Sequence, residues 1–291
     1  MSYHVPVLTQ QVLDGLQVRA GGNYIDCTIG EGGHSISILE ASSPGGHILG
    51  IDLDPEALQA SASRLSSFHG LTILTNNNFS NLAQVSRDHG FFSVDGILFD
   101  LGLSSLQLEG ERRGFSFRAE DPLDMRFDPN GEVTAWEVVN KYSQQDLIRV
   151  IRTYGEERRV RAIAMNIIEN RPIDTSLALA QVVARAARRP RGRIHPATRT
   201  FQAIRMEVNR ELENLEKALM QAISILKQAG RLVVISYHSL EDRIVKNIFK
   251  QESKHSESIK LINKKIISPS QEEVRANYRS RSARMRVAER I

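Results

Sequence analysis

The sequence predicts an α/β fold in which an all-helical domain interrupts a largely parallel sheet. Over roughly the first hundred residues, four short apolar segments alternate with helical patterns, which is typical of parallel strands joined by right-handed crossovers. The alternation stops at residue 106, and only helical periodicity follows until about residue 198. An apolar run at residues 231–236 then resumes the sheet. We therefore assign residues 1–105 and 199–291 to one core domain and residues 106–198 to an inserted helical domain.

Each predicted element follows from its local pattern. The predicted strands are short apolar runs, at residues 24–27, 47–52, 71–74, 94–100, 231–236, 259–263 and 284–288. The predicted helices show a period near 3.6, at residues 35–41, 55–68, 81–89, 134–154, 156–170, 176–188 and 198–228. Asp54 and Pro55 provide a start signal for the second helix, because aspartate suits the N-cap and proline the first turn.

Composition excludes several classes of protein. Hydrophobic residues make up 41% and charged residues 25% of the chain, which is ordinary for a globular protein. No segment approaches the ~18 consecutive apolar residues of a membrane span, so no membrane partner is expected. A single cysteine, Cys27, excludes a disulfide framework, and no cluster shows metal-ligand spacing. We expect a cytoplasmic protein without a metal.

Arginine is concentrated in two stretches. Residues 185–205 contain seven arginines and no acid, and residues 275–290 contain six arginines and one acid, Glu289. A solvated basic face is the simpler interpretation of such stretches. A phosphate-rich partner is favoured, because the arginine fork matches phosphate oxygens and is weakly hydrated.

A glycine-rich turn after the first predicted strand has the composition of a nucleotide-cofactor loop. It spans residues 26–35, and Gly30, Gly32 and Gly33 allow the backbone to turn tightly and to approach a ligand. Asp52 ends the next strand, 22 positions after Gly30, where a carboxylate can accept hydrogen bonds from ribose hydroxyls.

Two cofactors compete for this turn. NAD, and with it an oxidoreductase, would require Gly-x-Gly-x-x-Gly, but Ser35 occupies the last glycine position. S-adenosyl-L-methionine has no pyrophosphate to seat at the helix, so it does not need that glycine. An acid four positions before the first glycine, here Asp26, is typical of methyltransferases. The turn therefore favours a Rossmann-like class I methyltransferase sheet.

Other strand ends supply candidate side chains. Phe79 follows the third strand and could flank an adenine, although packing under a loop explains it equally well. Asp100 ends the fourth strand, where α/β proteins carry out chemistry, and could orient an acceptor amine or hydroxyl with Ser104. Cys27 lies in the cofactor turn, the wrong place for the nucleophile of carbon methylation, and is expected to be a small buried residue.

Two further segments have open interpretations. His238 stands at a strand end in a polar cluster, residues 236–243, that could be catalytic. Alternatively, Ser239 could be the N-cap of the next helix, with Glu241 and Asp242 in its acidic first turn. Residues 193–205 join the insert to the core and contain Arg193, His195, Arg199 and Arg205. RNA contact is favoured there over a solvated hinge, because phosphate and base contacts use these residue types.

Nine motifs together resemble one family, the bacterial 16S ribosomal RNA cytosine-N4 methyltransferases. They cover residues 26–35, 52–55, 100–107, 113–117, 122–126, 154–158, 195–205, 236–246 and 281–290. The resemblance extends over essentially the whole chain, and the run His-Pro-Ala-Thr-Arg at residues 195–199 is specific to that family.

The resemblance implies a substrate, a product and a cofactor site. The substrate would be a cytosine in the decoding region of 16S rRNA within the small ribosomal subunit, and the product N4-methylcytidine. The family's cofactor positions match Gly32, Gly33, His34, Asp52, Phe79, Asp100 and Gln107. Asp100, Ser104 and His238 are our candidates for catalysis. The protein could be a monomer or a homodimer, and without the resemblance a non-catalytic RNA-binding factor stays a competing interpretation.

Overall fold

The structure, a computed structural model, describes residues 6–103, 113–117, 120–187 and 195–291. Its sheet has seven strands: β1 (Asn23–Asp26), β2 (His47–Asp52), β3 (Thr72–Asn76), β4 (Val94–Asp100), β5 (Leu226–Ser236), β6 (Ile259–Leu261) and β7 (Arg284–Arg290). Their order is β3-β2-β1-β4-β5-β7-β6. The first five pair in parallel, whereas β7 is antiparallel to both of its neighbours.

The strand order places a topological switch between β1 and β4. From β1 the chain builds outward through β2 to β3, and then returns to add β4 on the other side of β1. Crossovers on the two sides lie on opposite faces of the sheet, which leaves a crevice at the carboxyl ends of these strands. This order is that of a Rossmann-like sheet, so the predicted fold class is confirmed.

The helices of the sheet unit cover both faces of the sheet. They are α1 (Thr9–Leu16), α2 (Gly33–Ala41), α3 (Pro55–Arg64), α4 (Leu82–Asp88), α10 (Glu211–Ile225), α11 (Ser239–Lys254) and α12 (Gln271–Ala276). Alternate strand residues belong to two separate cores: Ile97 and Phe99 pack with α4 and α10, whereas Leu98 packs with α1 and α2. Burial on both faces explains why the strands are continuously apolar.

Predicted boundaries in this unit are close to the observed ones. The strands at residues 47–52 and 94–100 have the predicted bounds. The start of α3 is confirmed, because the Asp54 side chain accepts a hydrogen bond from the Glu56 amide and Pro55 occupies the first turn. β5 begins earlier than predicted, at Leu226 instead of Arg231.

The second unit is helical. Its described helices are α5 (Ala135–Lys141), α6 (Gln144–Gly155), α7 (Val160–Glu169), α8 (Ser176–Ala187) and α9 (Thr198–Asn209). The single helix predicted at residues 134–154 is wrong: Tyr142 is extended, and Ser143 caps a new helix by accepting from the Asp146 amide.

The long helix predicted at residues 198–228 is also two helices. Arg210 adopts a left-handed conformation (φ 48°) and separates α9 from α10. The division into compact units follows this break, with residues 1–104 and 212–291 in one unit and residues 105–211 in the other. The second predicted boundary, at residue 198, differs from the observed one at residue 211, because α9 packs within the helical unit. This packing is close, since a Cβ added to Gly155 of α6 would lie 2.8 Å from the Arg199 carbonyl oxygen.

Along the described ranges, no helix combines the length and the apolar character that crossing a membrane requires.

Candidate active site

Four polar residues end the adjacent parallel strands β2, β1, β4 and β5: Asp52, Asp26, Asp100 and Ser236. The carboxyl ends of neighbouring parallel strands lie along one edge of a sheet, so the sequence places these residues side by side. The candidate site is built at this edge, and each carboxylate has different partners.

Asp26 is buried and stabilises the glycine turn. One oxygen accepts a hydrogen bond from the Ser35 hydroxyl (2.8 Å) and the other accepts from the Thr28 amide (3.2 Å). Burial raises the pKa of this carboxyl above its ordinary value, although both hydrogen bonds act in the opposite direction. Because both of its oxygens accept hydrogen bonds from the protein, Asp26 stabilises the conformation of the turn.

The glycines of the turn adopt conformations that other residues avoid. Gly30 and Gly32 have φ values of 51° and 78°, and Gly32 directly precedes α2. At Gly33 an added Cβ would lie 2.6 Å from the Pro6 ring. The turn therefore presents backbone without side chains at the start of a helix, which is where a ligand can approach closely.

Asp52 links the segments that follow β1 and β2. One oxygen accepts from the Gly30 amide and the other from the Asp54 amide, both at 2.9 Å. Burial raises the pKa of Asp52 to about 6, because these hydrogen bonds only partly offset the loss of solvent. Each carboxylate oxygen can still accept a second hydrogen bond, as a pair of ribose hydroxyls would require.

His34 carries buried polar atoms that lack a partner. Its ring is 6% exposed, and neither nitrogen has a hydrogen-bond partner among the residues that the structure describes. Its Nε2 lies 3.4 Å from Oδ2 of Asp100. Buried polar groups are stabilised by hydrogen bonds, and a bound ligand could supply such a bond to this ring.

Asp100 is oriented by two other residues. The Tyr237 hydroxyl donates to Oδ1 at 2.9 Å, and the Asp100 amide donates to the Thr28 hydroxyl at 2.7 Å. Burial and the Asp100 charge raise the pKa of Tyr237 well above its ordinary value, so the phenol stays a donor. Gly102 (φ 120°) makes room for this ring, because an added Cβ would lie 3.1 Å from it.

Phe79 packs under its loop, which is one of the two alternatives left open by the sequence. Its half-buried ring meets Phe99 edge to face, with centroids 5.7 Å apart. Gln221 on α10 fixes the short turn that carries Phe79: its amide donates to the Ser80 carbonyl (2.6 Å) and accepts from the Ala83 amide (2.7 Å). No local pattern around Gln221 could have revealed this role, since its partners are some 140 residues away.

His238 caps a helix. Its Nδ1 accepts from the Glu241 amide, and the Glu241 carboxylate accepts from the amides of His238 and Tyr237. The capping interpretation of this cluster is therefore correct, but the N-cap is His238 and not the expected Ser239, which is the first residue of the helix. Within the described part of the chain, the buried Nε2 has no hydrogen-bond partner; it lies 3.1 Å from Glu241 without the required alignment.

The candidate RNA residues have different environments. His195 is exposed and its ring stacks on Phe117, with centroids 4.5 Å apart. Arg199 is half-exposed and lies 3.4 Å from the Glu156 carbonyl. Arg205 makes a two-pronged ion pair with Glu211 and its side chain is only 11% exposed, which argues against the predicted contact.

Some predicted residues cannot be placed. Ser104, Gln107 and Arg193 lie outside the described residues. Cys27 is buried as expected, and burial raises the pKa of its thiol well above the ordinary value, so it is unsuited to act as a nucleophile.

Several arginines of the second basic stretch have internal partners. Arg286 forms a two-pronged pair with Asp242, and Arg284 lies 3.6 Å from the same carboxylate. Arg290 donates to the Ser258 carbonyl. The strand β7 therefore uses its arginines for structure, and Arg275 and Arg281 stay exposed.

A Rossmann-like sheet, a glycine turn at its switch point and strand-end carboxylates define an S-adenosylmethionine-dependent methyltransferase. The comparisons with known proteins specify it further. Residues 1–291 match the model of the MraW methylase family, and the chain belongs to this family. This membership excludes the oxidoreductase and the non-catalytic RNA-binding factor.

Two curated relatives are named ribosomal RNA small subunit methyltransferase H. The one from Dehalococcoides mccartyi (strain 195) is 52% identical over 99% of this chain and 86% of its own length. The one from Thermomicrobium roseum is 48% identical over 99% of this chain and 94% of its own. Among solved structures, an rRNA methylase from Streptococcus thermophilus aligns with a TM-score of 0.45 at 12% identity, covering 99% of each chain, a likeness too distant to bear on function.

Proposed function

We propose that this enzyme methylates the N4 amine of a cytosine in the decoding region of 16S rRNA, within the small ribosomal subunit. The names of the curated relatives support small-subunit rRNA as the substrate. The observation that carries the chemistry is Asp100, a strand-end carboxylate that Tyr237 holds in one orientation beside the buried ring of His34. A ribosomal substrate would place the enzyme in the cytoplasm.

The residues at the sheet edge fit the cofactor. The backbone of Gly32 and Gly33 leaves room for close approach, and Asp52 can accept from ribose hydroxyls. His34 offers two buried ring nitrogens that have no hydrogen-bond partner among the described residues. Phe79 presents a half-buried ring suited to an adenine face, and we keep Gln107 from the family resemblance. When bound, S-adenosylmethionine supplies an electrophilic methyl group on a sulfonium.

Asp100 would orient the acceptor amine and take up its proton. The lone pair of a cytosine N4 amine is delocalised into the ring, so the amine must be held in line with the methyl group. A carboxylate oxygen that accepts one N–H of the amine aligns that lone pair, and it receives the proton that the nitrogen loses on methylation. Because Tyr237 occupies Oδ1, we assign this role to Oδ2.

Further residues are candidates for contact with the substrate. We propose that Nε2 of His238 contacts the substrate, since its other ring nitrogen is fixed by the helix cap. Ser104 stays a candidate from the sequence. For RNA contact we propose Arg193, Arg199 and the stacked ring of His195, and we omit Arg205 because of its ion pair with Glu211.

The proposal is tested by methyl transfer to small-subunit particles that lack the modification. We expect the labelled nucleoside to be N4-methylcytidine by mass spectrometry. Asp100→Ala should abolish transfer, since general acid–base groups contribute roughly 10²–10⁴-fold. Asp100→Asn keeps the shape and the hydrogen bond from Tyr237 but cannot take up the proton. An Asp100→Ala enzyme that still bound cofactor and retained activity within a few-fold would refute the assigned role.

A further inference from the structure

A short segment before β7 lies at the same sheet edge as the candidate site. The 3-10 helix Tyr278–Ser282 leads into β7, whose first residue, Arg284, pairs with Ser236 at the carboxyl end of β5. The backbone of this segment therefore borders the site without belonging to it.

Tyr278 and Arg281 form a fixed stacked pair on this segment. The Arg281 guanidinium lies 4.1 Å from the centroid of the Tyr278 ring, and it also donates to the Tyr278 carbonyl at 3.1 Å. The tyrosine is nevertheless 65% exposed. Most of the tyrosine surface is therefore accessible even with the guanidinium beside the ring.

The chemistry of the two side chains favours a single-stranded nucleic acid as their binding partner. A lone exposed aromatic residue is common and needs no partner. Here the aromatic ring is combined with the exposed cation of Arg281, and Arg275 is exposed on the preceding helix, beside a site proposed to act on RNA. Proteins bind single-stranded RNA by stacking bases on aromatic rings and arginine planes while basic groups contact phosphates.

We propose that Tyr278 and Arg281 form a stacking platform for a nucleotide that flanks the methylated cytosine. The base stacks on the exposed ring of Tyr278, and the Arg281 charge is available to the adjoining phosphate. This inference rests on the proposed function, because it requires an RNA substrate at the neighbouring site. It adds a binding subsite outside the cofactor and amine contacts.

The test compares Tyr278→Ala with Tyr278→Phe, which keeps the ring. Phe92→Ala is the matched control, because Phe92 is 68% exposed but precedes β4 at the opposite edge of the sheet. We expect Tyr278→Ala to raise KM for small-subunit particles about tenfold, as for the loss of one stacked base, with kcat and cofactor binding unchanged. Binding of a fluorescent single-stranded RNA oligonucleotide should weaken in parallel. Tyr278→Phe and Phe92→Ala should behave like the unaltered enzyme.

Three outcomes would overturn the platform. The first is a KM of Tyr278→Ala equal to that of Phe92→Ala. The second is a loss in Tyr278→Phe as large as in Tyr278→Ala, which would exclude stacking. An effect on particles but none on the isolated oligonucleotide would assign the surface to a ribosomal protein. Failure of the unaltered enzyme to form N4-methylcytidine would instead refute the proposed function, and the oligonucleotide measurement would still decide the platform.

Discussion

The hydrogen bond from Tyr237 to Asp100 offers the sharpest test of the proposed mechanism. Tyr237→Phe removes only the hydroxyl that donates to Oδ1 at 2.9 Å and keeps the ring that packs beside Gly102. A hydrogen bond to a charged group contributes about 1.5–3 kcal/mol, which corresponds to roughly 10- to 150-fold in rate if it is lost entirely in the transition state. The Asp100 side chain is 23% exposed, so water can replace part of the bond. We therefore expect kcat to fall about tenfold, at the lower end of this range.

The matched control is Tyr24→Phe. The Tyr24 hydroxyl accepts a hydrogen bond from the Arg19 amide at 2.8 Å, away from the candidate site. Both variants should lower the free energy of unfolding by about 1–2 kcal/mol, because each loses one short hydrogen bond and Tyr24→Phe also loses a long one to the Arg19 carbonyl (3.5 Å). Only Tyr237→Phe should lower kcat in a single-turnover methyl-transfer assay, with cofactor affinity changed by less than about twofold. Equal kcat values for the two variants would refute the positioning role.

Two further predictions concern the cofactor. The pKa of Asp52 is raised to about 6, and ribose hydroxyls donate to the ionised form, so cofactor affinity should fall as the pH drops through 6. Isothermal titration should give a Kd about tenfold weaker at pH 5 than at pH 7.5, and Asp52→Asn should remove this pH dependence; a dependence that persists in the variant belongs to another group. Gln221→Ala releases the turn that carries Phe79, so we expect Kd for the cofactor to rise roughly fivefold with kcat at saturation unchanged. A loss confined to kcat would contradict this.

The local sequence pattern predicted those elements whose structure depends on their own residues. The strands at residues 47–52 and 94–100 are continuous apolar runs that end in an acid, and burial on both faces of the sheet makes such runs unambiguous. The strand-end carboxylates Asp52 and Asp100 could be identified for the same reason. The helix break at Arg210 could not, because an arginine in a left-handed conformation has no sequence signature comparable to that of glycine.

Contacts between residues that are far apart in the sequence could not be predicted. Asp100 and Tyr237 are 137 positions apart, so nothing near Asp100 indicates which group orients it. The same applies to Arg205, whose arginine-rich surroundings favoured an RNA contact, whereas its ion pair with Glu211 depends on the break between α9 and α10. Charge patterns describe what a stretch can bind, and only packing decides which charges stay available.

The position of β7 constrains how the molecule can be assembled during synthesis. This strand lies between β5 and β6 although it follows both in the chain, so β5 and β6 do not pair with each other. Until residue 290 has emerged from the ribosome, β5 presents an unpaired edge, which is a template for aggregation. The edge that carries Ser236 and Tyr237 is thus completed late, and premature termination before β7 would remove an interior strand and not a dispensable tail.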